Sequence, residues 1–189
     1  MAEQLTKNER VYLLTIARHA IEDGVRGNNP EKINLEELSP RLCEPGASFV
    51  TLTKGGELRG CVGALDAYQP LVEDVREHAI AAALQDYRFS PVEAEEVPEL
   101  LIEISCLTPP VLLEYDKPDE LLVRLRPGID GVILREGARR ATFLPQVWQK
   151  LPDVKQFLGH LCQKMGVDEN YWRNHKLKIF TYQVEEFHE

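Results

Sequence analysis

Arg59, Cys61, Arg88 and Glu103 are the residues of this 189-residue chain whose types and placement suggest chemistry. Two of them sit in Leu58-Arg59-Gly60-Cys61-Val62-Gly63, where glycines flank a cysteine that follows an arginine. Interior glycine weakens a strand and marks a bulge or a close backbone approach, so this stretch gives up stability for room. With a period of two, Leu58, Gly60 and Val62 share one side of a strand, and Arg59, Cys61 and Gly63 share the other. Taking Leu58 and Val62 as core then projects the thiol and the guanidinium into the same space. A cationic neighbour favours the thiolate, and Glu103 within reach would act as acid or base, which makes Cys61 and Glu103 the candidate catalytic pair. Alternatively, Arg59 and Arg88 grip a carboxylate or phosphate, with the amides of Gly60 and Gly63 as further donors. Each residue has a structural counterpart to that role. Cys61 fits as a small packed thiol, Arg88 as the partner of Asp86 or Glu103, and Glu103 as a paired charge inside an otherwise apolar strand. None of these motifs contains a histidine, so whether the chain is an enzyme stays open.

The elements that must position these residues read clearly. Thr6-Lys7-Asn8-Glu9 has the form of a capping box, and Val11, Leu14, Ala17 and Ile21 recur at helical spacing until Gly24, which predicts a helix over 7–23. Leu35 and Leu38 fall in a short turn. An apolar run from Phe49 to Leu52 and the signature strand form a hairpin around Gly55-Gly56. Pro70 reads as the first residue of a second helix, with Leu71, Val75, His78, Ala79, Ala82 and Ala83 inward. After Pro98 comes a strand over 100–107, with Ile102, Ile104 and Cys106 on one face and Glu103 and Ser105 on the other. A second hairpin follows around Gly137, then a helical region opened by Pro145 and including 154–165, then a last strand over 177–184. Hairpin, helix and strand thus occur twice, about 48–107 and 128–185. His78 and His160 read as packed imidazoles, and the acidic run Glu93-Ala94-Glu95-Glu96 as a solvated loop.

Composition excludes several classes. With 43% apolar and 28% charged residues the chain has the make-up of a soluble globular protein, and no apolar run approaches the roughly 18 residues of a membrane span. Residues 1–9 lack the apolar segment of a signal peptide, so the expected location is the cytoplasm. Lys and Arg number 22 against 31 Asp and Glu, a formal charge of −9, which argues against broad nucleic-acid binding while leaving room for a local basic patch. Cys43, Cys61, Cys106 and Cys162 show neither Cys-x-x-Cys spacing nor neighbouring histidines, so no metal site is expected and the thiols read as reduced. The glycines fit neither a Walker motif nor a dinucleotide fingerprint, and no cofactor is indicated.

The signature hexapeptide closely resembles that of the AMMECR domain family, whose bacterial and archaeal members are called AmmeMemoRadiSam system protein A. The resemblance continues through Asp86-Tyr87-Arg88-Phe89-Ser90-Pro91, Ile102-Glu103-Ile104-Ser105, Pro127-Gly128-Ile129-Asp130-Gly131-Val132 and Thr142-Phe143-Leu144-Pro145-Gln146-Val147. It takes in Phe157-Leu158 and Cys162-Gln163-Lys164-Met165-Gly166, and so covers nearly the whole chain. It implies an α+β fold in which two hairpin, helix and strand repeats merge into one barrel-like mixed sheet with flanking helices, a single domain over 1–189. It also implies a place in a pathway shared with Memo-like and radical SAM proteins. The expected function is therefore a ligand-binding or accessory component holding a small anion with Arg59, Gly60, Gly63 and Arg88. The alternative is a non-catalytic interaction module or adaptor.

Overall fold

Thr6 and Glu9 close the capping box that the sequence predicts. The Glu9 amide donates to Thr6 Oγ1 at 3.3 Å and the Thr6 amide to Glu9 Oε2 at 2.7 Å, starting helix α1 (Lys7–Val25). The structure is a computed structural model and describes residues 4–30 and 32–189. After α2 (Pro40–Cys43) come strands β1 (Pro45–Lys54) and β2 (Glu57–Gly63). Gly55 and Gly56 join them at φ 61° and 84°, a left-handed backbone that glycine adopts without strain. Short strand β3 (Gln69–Pro70) leads into α3 (Leu71–Leu84), so Pro70 stands just ahead of the helix instead of inside it. Strand β4 (Leu100–Leu107) follows. The rest comprises β5 (Val111–Leu112), α4 (Leu121–Arg124), β6 (Gly131–Glu136), β7 (Arg139–Phe143), α5 (Val154–Lys164), α6 (Tyr171–Asn174), β8 (Lys178–Tyr182) and β9 (Val184–His188).

The chain divides into two compact units, Met1–Leu107 with Glu185–Glu189, and Thr108–Val184. The α+β composition is as expected, but the barrel-like single sheet is not: there are two open sheets. One has the order β2-β1-β4-β9 with β3 beside β1, and the other the order β5-β8-β6-β7. A sheet closes only if its edge strands remain free to pair, and the outer edge of β2 is taken by side chains, as described below. In each unit the hairpin's second strand lies outermost and its first strand pairs with the strand after the helix, giving β2-β1-β4 and β7-β6-β8, all antiparallel.

In the first unit, α1 and α3 cover one face of the sheet. Leu13, Ala17 and Ile21 of α1 and Val72, Val75, Ala79 and Ala82 of α3 meet Val50, Leu52, Ile102 and Ile104 from the strands, all buried. In the second, Phe157, Leu158 and Leu161 of α5 and Trp172 of α6 pack on Val132, Leu134, Ala141 and Ile179, while Trp148 stacks on Phe157 at 3.6 Å between centroids. Each helix-covered face is therefore a core, and in the first sheet the other face carries half-buried and exposed positions such as Thr51, Cys61 and Leu101.

The β1–β2 hairpin departs from simple alternation at one point. Thr53 pairs with Leu58 but Leu52 pairs with Gly60, leaving Arg59 as the extra residue of a β-bulge. Gly60 consequently enters the helix-facing row opposite Leu52, where α3 passes so close that a Cβ would stand 2.1 Å from the Ala82 carbonyl oxygen. Only glycine lets helix and strand approach this far. Gly60→Ala must push α3 off the sheet, and we expect a loss of about 1–3 kcal/mol of unfolding free energy, read as a lower urea midpoint. An unchanged midpoint would refute the contact.

Candidate functional site

The bulge decides what Cys61 faces. Counted straight from the two-residue turn, Cys61 would oppose Val50 and enter the core; with the extra residue it opposes Thr51, which in turn opposes Glu103 of β4. Directly opposed residues project to the same face, so Cys61, Thr51 and Glu103 form one row across three strands, on the face away from α1 and α3. All three are half-buried. The Thr51 hydroxyl donates to Cys61 Sγ at 3.4 Å. With strands about 4.8 Å apart, Glu103 and Cys61 are separated by roughly 10 Å at the backbone, and Thr51 is the group between them. Among the described residues Glu103 makes no hydrogen bond or ion pair, so it is neither the buried nor the paired carboxylate that the sequence suggested. Beside this row lie Leu58, Thr53 and Leu101, with both leucines well exposed, and on its other side Gly63, Phe49 and Ser105.

Cys61 sits on an edge strand, and its outward backbone groups are satisfied by two side chains. Its amide donates to Asp86 Oδ2 at 2.8 Å, and its carbonyl accepts from Arg88 Nη2 at 3.2 Å. The pair is itself locked, Arg88 Nε donating to Asp86 Oδ1 at 2.9 Å and Nη2 to Oδ2 at 2.6 Å. Asp86 and Arg88 thus stand in for one residue of a neighbouring strand. Because both backbone groups of Cys61 point away from β1, Cys61 and Thr51 are a non-hydrogen-bonded pair, the closer of the two antiparallel geometries, which is why hydroxyl and sulfur meet. The Arg88 guanidinium, together with the Cys61 and Arg88 amides, holds the buried Asp86 carboxyl far below the usual carboxylate range, and Asp86 raises Arg88 in return. Arg88 remains 44% exposed, and its Nη1 end makes no hydrogen bond among the described residues. Of the two alternatives the sequence offered for it, the partner is Asp86.

The structure does not bring Arg59 beside Cys61. As the bulged residue it turns to the helix-bearing side, where Nε and Nη2 donate to Glu96 at 3.1 and 2.9 Å and the remaining donors reach the Ser90 and Pro91 carbonyls. Lys54, from the helix-facing positions of β1, meets the same Glu96. Arg59 first, then the Glu93 amide and Lys54, hold the Glu96 carboxyl down at about 2. The glycines leave no empty floor either. Gly60 lies under α3, and a Cβ on Gly63 would stand 2.4 Å from the Phe49 ring, so the ring occupies that space. Of the six residues marked from sequence, Cys61 and Glu103 share one face with Thr51 between them, and Arg88 holds the Cys61 backbone at the strand edge; Arg59, Gly60 and Gly63 shape the strand.

Two participants were not legible in the sequence. Thr51 is an ordinary strand threonine until the bulge fixes its partner. Glu96 lies in what reads as a solvated acidic run, and its one signal is the neighbouring Glu93, whose amide it accepts at 3.0 Å. His78 is buried, as expected, in a polar contact between α3 and β1: its Nδ1 lies 3.1 Å from Asp74 Oδ2, which also accepts from Ser48 Oγ at 2.6 Å. His160 is exposed, contrary to the packed position expected of it. All four cysteines are free, and among the described residues no group of three or more His, Cys, Asp or Glu is placed to hold a metal ion.

A sheet covered by helices on one face, with Cys61 opposite Thr51 on the other, makes the first unit an α+β fold. A model of the AMMECR1 family matches residues 14–187, and the chain belongs to that family. Protein MK0488 of Methanopyrus kandleri is 38% identical over 197 residues, covering 100% of this chain and 92% of its own. A relative in Methanothermobacter thermautotrophicus is 36% identical, covering 98% and 96%. The crystal structure of uncharacterized protein PH0010 from Pyrococcus horikoshii superposes with a TM-score of 0.76 at 34% identity, covering 94% of this chain and 90% of that one. Among the described residues no helix is long and apolar enough to cross a membrane.

The clamp on Cys61 has a pH signature. Asp86 titrates below its ordinary 3.8 and Glu96 below its ordinary 4.5, so the stability each contributes is complete at neutral pH and is lost as the pH falls below about 4, where the unfolded chain takes up the proton first. Asp86→Asn is expected to cost roughly 1–3 kcal/mol at pH 7, to flatten the stability curve between about pH 5 and 2, and to speed hydrogen exchange at the Cys61 amide. Wild-type exchange at that amide in the variant would show that the clamp is not what holds it.

Proposed function

We propose that the helix-free face of the first sheet is the working surface of this protein, a ligand-binding site centred on the Cys61 thiol with Thr51 and Glu103 beside it and the open end of Arg88 at its rim. The observation that carries this is the row itself. A thiol, a hydroxyl and a carboxylate stand side by side on one face, and the backbone beneath the thiol is pinned by a locked ion pair. A nucleophile or ligand-binding thiol gains from being held in one geometry. Cys61 and Glu103 keep the roles proposed for them, and Arg59 is left out of the site because its donors go to Glu96 and to the Ser90 and Pro91 carbonyls.

The apolar row next to the thiol supports a second reading. Leu58 and Leu101 are 44% and 57% exposed across Thr53, an apolar strip bordering the polar row. A partner protein covering such a strip would close the site from water, and the family resemblance implies which partners to try, a Memo-like and a radical SAM protein of a shared pathway. In that arrangement the chain is an accessory component that presents the thiol face to its partners. The shared strand order of the two units supports an origin by internal duplication within one AMMECR domain.

The two readings separate by substitution. In native protein, iodoacetamide is expected to label half-buried Cys61 well before the buried Cys106 and Cys162, the Cys106 thiol being pushed up to about 12 chiefly by burial. With a Memo-like and a radical SAM protein supplied, Cys61→Ser should abolish turnover and keep association, whereas Leu101→Glu should weaken association. Full turnover by Cys61→Ser would exclude a chemical role for the thiol and leave the module.

A further inference from the structure

The first unit carries a cavity of about 140 Å³ beside the C-terminal turns of α1, lined by none of the signature residues. Ile16 of α1 and Pro30 and Ile33 of the segment after it give the cavity apolar walls, whereas His19, Glu22 and Asp23 of the same helix and Arg76 of α3 give it polar ones. Arg76 is committed to Glu73, one turn back on α3 at 2.5 Å. Glu22 and Asp23 are half-buried, and their carboxylates make no hydrogen bond or ion pair among the described residues. Their place on the helix makes that arrangement costly. Both stand in the last turn of α1, which holds no basic residue, so two negative charges meet the end where the helix's own carbonyls already concentrate negative potential. The chain does not place a cation here: Arg18 of the same helix goes to Glu189 instead, and in this unit Asp and Glu outnumber Lys and Arg more than two to one.

We infer that this cavity binds a small organic monocation, a primary ammonium carried on a short aliphatic body. The ammonium donates charge-assisted hydrogen bonds to the Glu22 and Asp23 carboxylates, and the methylenes lie against Ile16, Pro30 and Ile33. A cavity of about 150 Å³ takes a ring of six carbons, so this one holds about six non-hydrogen atoms. A metal ion is poorly served, because among the described residues no three of His, Cys, Asp or Glu are placed to hold one. Arg76 limits the ligand to one charge, since a guanidinium in the same lining repels a second ammonium. A free amine and a lysine side chain reaching in from another protein present the same chemistry. The bound cation offsets the repulsion at the helix end, so the fold gives up some stability when the cavity is empty and recovers it with ligand. The site uses no residue of the Cys61 face and stands or falls separately from it.

The test is calorimetric titration of the full chain at low salt with n-pentylamine, n-pentanol, methylamine, cadaverine, magnesium chloride and a lysine blocked at both backbone ends, on wild type and on Glu22→Gln, Asp23→Asn and Glu36→Gln. Glu36 is an exposed carboxylate outside the cavity and controls for general charge. Pentylamine should bind, and pentanol, which lacks the charge, methylamine, which lacks the chain, and cadaverine, which adds a second charge, should each bind more weakly. Either cavity substitution should weaken pentylamine binding by about tenfold or more while Glu36→Gln does not. Binding of the blocked lysine as tight as pentylamine or tighter assigns the ligand to a lysine side chain of another protein, and weaker binding to a free amine. Thermal unfolding checks the fold: Glu22→Gln should be no less stable than wild type without ligand, and pentylamine should raise the midpoint of wild type more than that of the variant. Pentanol or magnesium binding as tightly as pentylamine, cadaverine binding more tightly, an equal loss in Glu36→Gln, or no binding of either pentylamine or the blocked lysine would overturn the assignment. Cys61→Ser should leave all of these titrations unchanged.

Discussion

One extra residue in one strand organises the first unit. Without the bulge at Arg59, the tight Gly55-Gly56 turn would set Cys61 against Val50 and Arg59 against Leu52, burying a thiol and a guanidinium in an apolar core. Burying an unpaired guanidinium is prohibitively costly, so the register must shift. The bulge sends Arg59 to Glu96 and puts Gly60 under α3, and it delivers Cys61 to the open face opposite Thr51. Three apparently separate features, the glycine, the arginine and the cysteine of the signature, are thus consequences of a single displacement of the ladder.

The second constraint is the exposed edge that the bulged strand presents. An edge strand with free amides and carbonyls invites pairing with other chains. Here the loop after α3 returns to β2 and supplies Asp86 and Arg88 at Cys61, while Ser90, Pro91 and Glu96 bind Arg59. The loop is tied to the strand at both signature residues, and the edge is closed without adding a strand. This explains why a motif around residues 86–91 accompanies the cysteine motif, and why the first sheet ends open instead of curling into a barrel. Only the carboxylate of the Asp86–Arg88 pair is buried, and the pair fixes the thiol's position through the hydrogen bonds that both residues make to the Cys61 backbone.

The first sheet buries one face under helices and on the other exposes a thiol row bordered by leucines, as strand alternation requires. In the second sheet helices bury one face as well, and Ile133, Thr142 and Tyr182 on the other are also buried.

Much of this was written in the chain itself. The capping box at Thr6, the glycine turns, the alternation of β4 that separates Ile102 and Ile104 from Glu103, the inward stripe of α3 and the repeated hairpin, helix and strand are local patterns, governed by propensities and periods of two or 3.6. The pairing of Arg88 with Asp86 was within reach because the two residues are close in sequence. The cross-strand rows were not. Whether Cys61 meets Val50 or Thr51 and whether Arg59 joins the thiol or leaves it depend on register. Register is fixed by competition between burying charge and keeping the ladder regular, and no single strand contains that information. The sequence therefore determined which elements form and which residues carry chemistry. Only the tertiary structure decided which of those residues stand together, because neighbours across a sheet are chosen by the partner strand and by the helix packed behind it.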